Sequence, residues 1–193
     1  MWMPLLDSGR ITLRISTKKI TYMAMLTAVA LIVFVIEAQI PLPFPIPGAK
    51  LGLANAVTLF ALFVAPMGEN GSKKSSPPAF LTGSDAFMIL ISRIILSAVF
   101  SGRFIAFIYS VAGGLLAFAA MVVSKRFVSG DQIWVCGSIG AIFHNVGQII
   151  AAMFVTGTPA VALMLPQLIV IGVVSGVLTG YVAQFAVKRI GGR

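Results

Sequence analysis

The chain is poor in charge, in acid, in cysteine and in histidine. Of its 193 residues only 10% are charged, and just 5 of those are acidic. A soluble domain carries about 25% charged residues, so an ordinary water-soluble enzyme is excluded. Disorder is excluded too, because 59% of the residues are apolar and disordered chains lack apolar side chains. One cysteine, Cys136, leaves no disulfide within the chain and no cysteine-rich zinc or iron–sulfur site. One histidine, His144, leaves no histidine pair for haem or metal. There is no Walker A motif. No two acids lie close together, whereas a prenyl-chain synthase holds magnesium diphosphate through clustered aspartates. Asp7, Asp85 and Asp131 are read as scattered through solvated segments. No catalytic residue, metal ligand or cofactor is assigned.

What is present is apolar sequence, with a mean hydropathy of +1.03. A spanning helix uses about 20 apolar residues, so this length allows six, with short connections and no soluble domain. The expected architecture is all-α, a polytopic six-helix bundle. Residues 1–19 form a basic tail. The spans fall at about 20–40, 51–67, 86–101, 104–124, 133–156 and 161–187, and 188–193 is a second tail. Four prolines at 41–47 exclude a helix there and predict a rigid extended loop, part of a lid. Residues 68–85, rich in Gly, Ser and Pro, read as a flexible connection. The first span is too long for a signal peptide and is followed by five more.

The net charge of +9 divides by position. With the N-terminus inside, eleven of the fourteen Lys and Arg fall in inner segments, and only Lys50 and Arg103 in outer loops. That asymmetry predicts both termini in the cytoplasm, with the bilayer and not nucleic acid as the basic residues' partner. Arg93 lies in mid-span, where a charge costs about 2.5–3.5 kcal/mol on insertion scales. It must face the interior. Either it pairs with Glu37, or it serves with Lys50 and Arg103 as an anion site; one acid cannot neutralise three bases.

Uncharged polar residues add to this. His144 and Gln148 stand one helical turn apart, with Asn145 alongside and Asn55 early in the second span. Each alone would serve as an interhelical hydrogen bond. Together they suggest a partly polar, net-positive cavity open to the outside, with walls suited to a greasy ligand bearing an anionic head. The stripe Gly172, Gly176, Gly180 and the glycines at 113, 114, 137 and 140 read as close helix packing. Ala24 and Ala28, on the first span, offer a small-residue face on which a partner protein docks.

Four runs carry a resemblance. They are Pro47-Gly-Ala-Lys50-Leu-Gly52-Leu-Ala-Asn55-Ala-Val-Thr58; Ser92-Arg93-Ile with Ser101-Gly102; Tyr109-Ser-Val-Ala-Gly113-Gly114; and His144-Asn145-Val-Gly147-Gln148. In this order, over about residues 18–188, they resemble the bacterial membrane family labelled "Gx transporter" or "heptaprenyl diphosphate synthase component I". That family is similar to substrate-binding S components of energy-coupling factor (ECF) transporters. The resemblance implies an outward-facing site and a first helix whose Ala-x-x-x-Ala face meets a transmembrane T component. The loop at 68–85 is longer than the family pattern.

The expectation is an inner-membrane substrate-binding protein for a small anionic, isoprenoid- or quinone-related compound. Lys50, Arg93 and Arg103 supply charge, while Asn55, His144, Asn145 and Gln148 orient the head group. Separate ATPases act through the T component. The alternatives are a non-catalytic membrane subunit of a polyprenyl diphosphate synthase, with a soluble catalytic partner, and a membrane element of a flavin- or quinone-linked electron-transfer chain.

Overall fold

The computed structural model describes residues 17–40, 50–64 and 81–190. Most of the N-terminal tail, the proline-rich loop, residues 65–80, which include the end of the second expected span, and the last three residues lie outside the described residues. Every regular element among the described residues is helical: α1 (Thr17–Glu37), α2 (Asn55–Val64), α3 (Gly83–Ser101), α4 (Phe104–Ser124), α5 (Ile133–Thr156) and α6 (Leu165–Ile190). A 3-10 segment, Pro159–Met164, leads into α6. Among the described residues, five helices are long and apolar enough to cross a membrane, with the 3-10 segment counted into the last.

The apolar side chains explain why these helices belong in lipid. Large hydrophobics stand in the open along each long helix, among them Ile32, Val99, Phe104, Phe154 and Phe185. In water such continuous patches are rare; in hydrocarbon they are the favoured surface. The chain is a multi-pass membrane protein.

The second predicted span is not a full crossing among the described residues. α2 has 10 residues, about 15 Å at 1.5 Å per residue, half of a hydrocarbon core about 30 Å thick. Its depth is fixed at both ends. Asn55, its first residue, bonds to Arg93 midway along α3. Near its other end, the Leu62 carbonyl accepts a hydrogen bond from the Lys125 ammonium, just past the end of α4. Lys125 also lies 5.5 Å from the centre of the Phe63 ring, so a residue counted as a topology signal also packs against the last described turn of α2. The described part of α2 therefore runs from the depth of Arg93 toward the end of α4. It contacts all five other helices, which form an arc in the order α1, α3, α4, α5, α6.

Two more boundaries move. The third span begins at Gly83 rather than 86, because Thr82 and Asp85 close its first turn. The Asp85 carboxylate accepts the Thr82 backbone N–H at 2.6 Å and its hydroxyl at 2.7 Å. It also pairs with Lys19 at 2.8 Å. Asp85 is thus buried and bonded, which corrects its reading as solvated. A carboxylate at the third helical position satisfies amides that the helix leaves orphaned. α6 runs on to Ile190, past the expected 187, and Lys188 near its end pairs with Asp131 at 3.0 Å.

The glycine stripe packs inward, as expected. A Cβ on Gly180 would lie 2.5 Å from Trp134 Cα, and one on Gly176 would lie 2.6 Å from Ser138 Cα. α5 and α6 meet backbone to backbone.

Candidate functional site

The site begins where α1 ends. Glu37 closes the last turn of α1 and is buried. Its Oε1 accepts the backbone N–H of Gly52 at 2.5 Å. Gly52 has φ of +80°, a region glycine enters without strain. There is also no room for a side chain: a Cβ there would lie 2.8 Å from His144 Cδ2 and 3.0 Å from Asn55 Nδ2. One glycine thus links the α1 carboxylate to α2 and α5.

Below Gly52 lies a buried polar network. Arg93 Nη2 donates to Asn55 Oδ1 at 3.1 Å. Gln148 Nε2 and His144 Nε2 share a hydrogen bond of 3.0 Å, while Gln148 Oε1 accepts the Lys50 backbone N–H at 3.4 Å. Gly113 of α4 makes space for His144: a Cβ there would meet its ring at 2.8 Å. A Cβ on Gly114 would instead crowd Ile94 Cδ1 at 3.0 Å. Asn55, Arg93, His144 and Gln148 are all buried. Among the described residues, Arg93 Nε and Asn55 Nδ2 have no hydrogen-bond partner. Buried polar atoms without partners cost about 1–3 kcal/mol each, so a cluster of them suits a site that meets a polar guest. The N-terminus of α2 points into this cluster and adds fractional positive charge.

Above the network is a cavity of about 700 Å³. Its polar lining includes Glu37, Lys50, Ser97, Ser101 and Arg103. Its walls are apolar, from Leu31, Phe34, Val35 and Phe100 among others. Ile32, Ile36 and Phe100, exposed on the outer surface, mark a lateral opening toward lipid. The Lys50 ammonium sits 3.0 Å from the centre of the Phe34 ring, a cation–π contact. Burial pushes its pKa down to about 8; Glu37 opposes that shift, and Arg93 and Arg103 add to it.

The seven binding residues expected from sequence divide into three groups. Lys50 and Arg103 line the cavity, and Arg103 is exposed. Asn55, Arg93, His144 and Gln148 form the network beneath it. Asn145 turns elsewhere: its Nδ2 donates to the Leu168 carbonyl at 2.5 Å, clasping α5 to α6. The expected alternative of an Arg93–Glu37 ion pair is not formed; the two ion pairs among the described residues are Lys19–Asp85 and Lys188–Asp131. Glu37 and Gly52 were not expected as site residues. An acid at the end of a span, and a glycine three residues before a helix that starts with a polar residue, were the signals available. Ala24 and Ala28 are exposed and line a second groove of about 530 Å³ between α1 and α3.

The described residues thus form a membrane protein of the helical-bundle class, with a cavity whose polar lining includes Lys50 and Arg103. The family follows from the sequence: a family model described as "Heptaprenyl diphosphate synthase component I" matches residues 26–70 and 78–186, and the chain belongs to that family. No curated protein and no solved structure matches it.

Proposed function

We propose that this chain is the non-catalytic membrane component of a prenyl diphosphate synthase system, binding a prenyl-type anion for a separate catalytic subunit. The observation that carries this reading is the cavity of about 700 Å³ whose apolar walls end at Lys50 and Arg103, above the buried Arg93–Asn55 pair. A prenyl chain suits the walls, and its phosphoryl head suits the cations. The family's name supplies the enzyme context. The sparse, separated acids support a non-catalytic role, since diphosphate transfer needs clustered carboxylates for magnesium. The bilayer holds the chain, in this reading the bacterial inner membrane with both termini cytoplasmic. The test is co-expression with an aspartate-rich soluble synthase subunit, extraction in mild detergent and capture of the membrane chain. Co-purification with a changed product chain length is the expected result. Neither association nor any change in product would overturn it.

A second reading, uptake of the same class of compound, is favoured by one observation. Ala24 and Ala28 stand exposed beside the α1–α3 groove, open to a T component coupled to ATPases. Uptake into vesicles by the chain with and without such a complex separates the two readings. Transport only with the complex supports uptake.

A further inference from the structure

Four charged groups meet at the cavity and the network under it: Glu37, Lys50, Arg93 and Arg103. Three are cations and one is a carboxylate. Glu37 lines the cavity with Lys50 and Arg103, and is tied in place by the Gly52 N–H. Lys50 is in electrostatic reach of Glu37, Arg93 and Arg103 at once. With the Glu37 carboxylate ionised, the described residues of the site carry a net charge of two positive units, and the described walls add no counter-charge.

We propose that Glu37 sets the charge of the head group this site accepts, and that the preferred ligand is an apolar chain ending in a doubly charged anion, a phosphate monoester. This inference rests on the anion-binding reading above and narrows it.

The self-energy of net charge in a low-dielectric site grows with the square of that charge. A ligand that brings the site to neutrality therefore gains most. With two positive units, a carboxylate leaves one uncompensated. A phosphate monoester, at about −1.5 to −2, cancels both. A diphosphate carries more and overshoots. Without Glu37 the site would hold three positive units, and the optimum would move to the diphosphate. Without Lys50 it would hold one, and the optimum would move to the carboxylate. Glu37 is thus a specificity-determining residue through its charge, and its anchoring of Gly52 is separable. Glutamine at 37 keeps an acceptor for the Gly52 N–H and removes only the charge.

The experiment uses the full chain in lipid nanodiscs. The probes are one prenyl chain ending in an alcohol, a carboxylate, a monophosphate or a diphosphate. The wild-type chain should bind the monophosphate tightest. Glu37→Gln should reverse the order of monophosphate and diphosphate, on the order of tenfold between the two. Lys50→Gln should move the preference the other way, toward the carboxylate. Alcohol binding should be the same in all three. An unchanged rank order in both variants would overturn the proposal while leaving anion binding intact. So would an equal loss for every probe, the alcohol included, which marks a structural effect. Wild-type protein that binds none of the anions would overturn the underlying reading and this proposal with it.

Discussion

Between α5 and α6, backbone lies against backbone, whereas α1 and α3 leave two voids, of about 700 and 530 Å³. At the first interface Gly137, Gly176 and Gly180 have no room for a methyl group. At the second, Ala24 and Ala28 stand exposed beside a groove. Both interfaces use small residues, but to different ends. In lipid there is no hydrophobic drive between helices, so close van der Waals packing has to hold the bundle together. The glycine seam supplies it. α5, clamped by α4 and α6, can then present His144 and Gln148 at fixed positions. α1, which among the described helices touches only α2 and α3, is left with open space beside it in the described residues.

The contrast breaks most sharply at the seam. Gly180→Leu forces a side chain into the Trp134 backbone and should cost about 3 kcal/mol or more. Loss of the folded peak in size-exclusion chromatography, or a large drop in Tm in detergent, checks it. The next largest effect belongs to the network. Arg93→Ala should lower affinity for an anionic prenyl probe on the order of a hundredfold while the protein still inserts. Titration in nanodiscs reads this directly, and unchanged affinity would make Arg93 a structural residue.

A smaller effect follows from pH. Lys50 is charged below about 8 and neutral above, because burial lowers its pKa. Anion affinity should therefore fall as pH rises from 7 to 9, by about tenfold. The other charged groups facing it are Glu37 on α1, Arg93 on α3 and Arg103 before α4. Lys50→Arg should flatten the profile, since a guanidinium stays charged throughout. The smallest effect on stability is expected at Ala24→Leu, within about 0.5 kcal/mol, because the position is exposed. The same change should block capture of any partner that uses this face of α1.

Much of this was legible in the sequence. The long helices were, because each is a run of apolar residues with polar ends; α4 and α5 begin and end where the hydropathy does. The start of α3 was missed although Thr82 and Asp85 have capping spacing, since the apolar run begins only at 86. Lys50 and Arg103 stood out as charges that topology leaves unexplained, and both reach the cavity. Asn145 was grouped with His144 and Gln148 by proximity along the helix. Yet adjacent positions on a helix differ by about 100° in direction, and Asn145 faces α6 instead.

The sequence by itself determined the solvent this protein folds in, the five long helices apolar enough to cross it and the residues whose charge needs a reason. Those are local properties, set by hydropathy over one helix length. Only the tertiary structure decided that α2 starts at the depth of Arg93, that Arg93 takes Asn55 rather than Glu37, and that Glu37 holds Gly52. These partners come from separate segments, and no spacing within one helix encodes them. They are selected where α1, α2, α3 and α5 converge, because a buried polar group takes its hydrogen bonds from whatever neighbours packing provides.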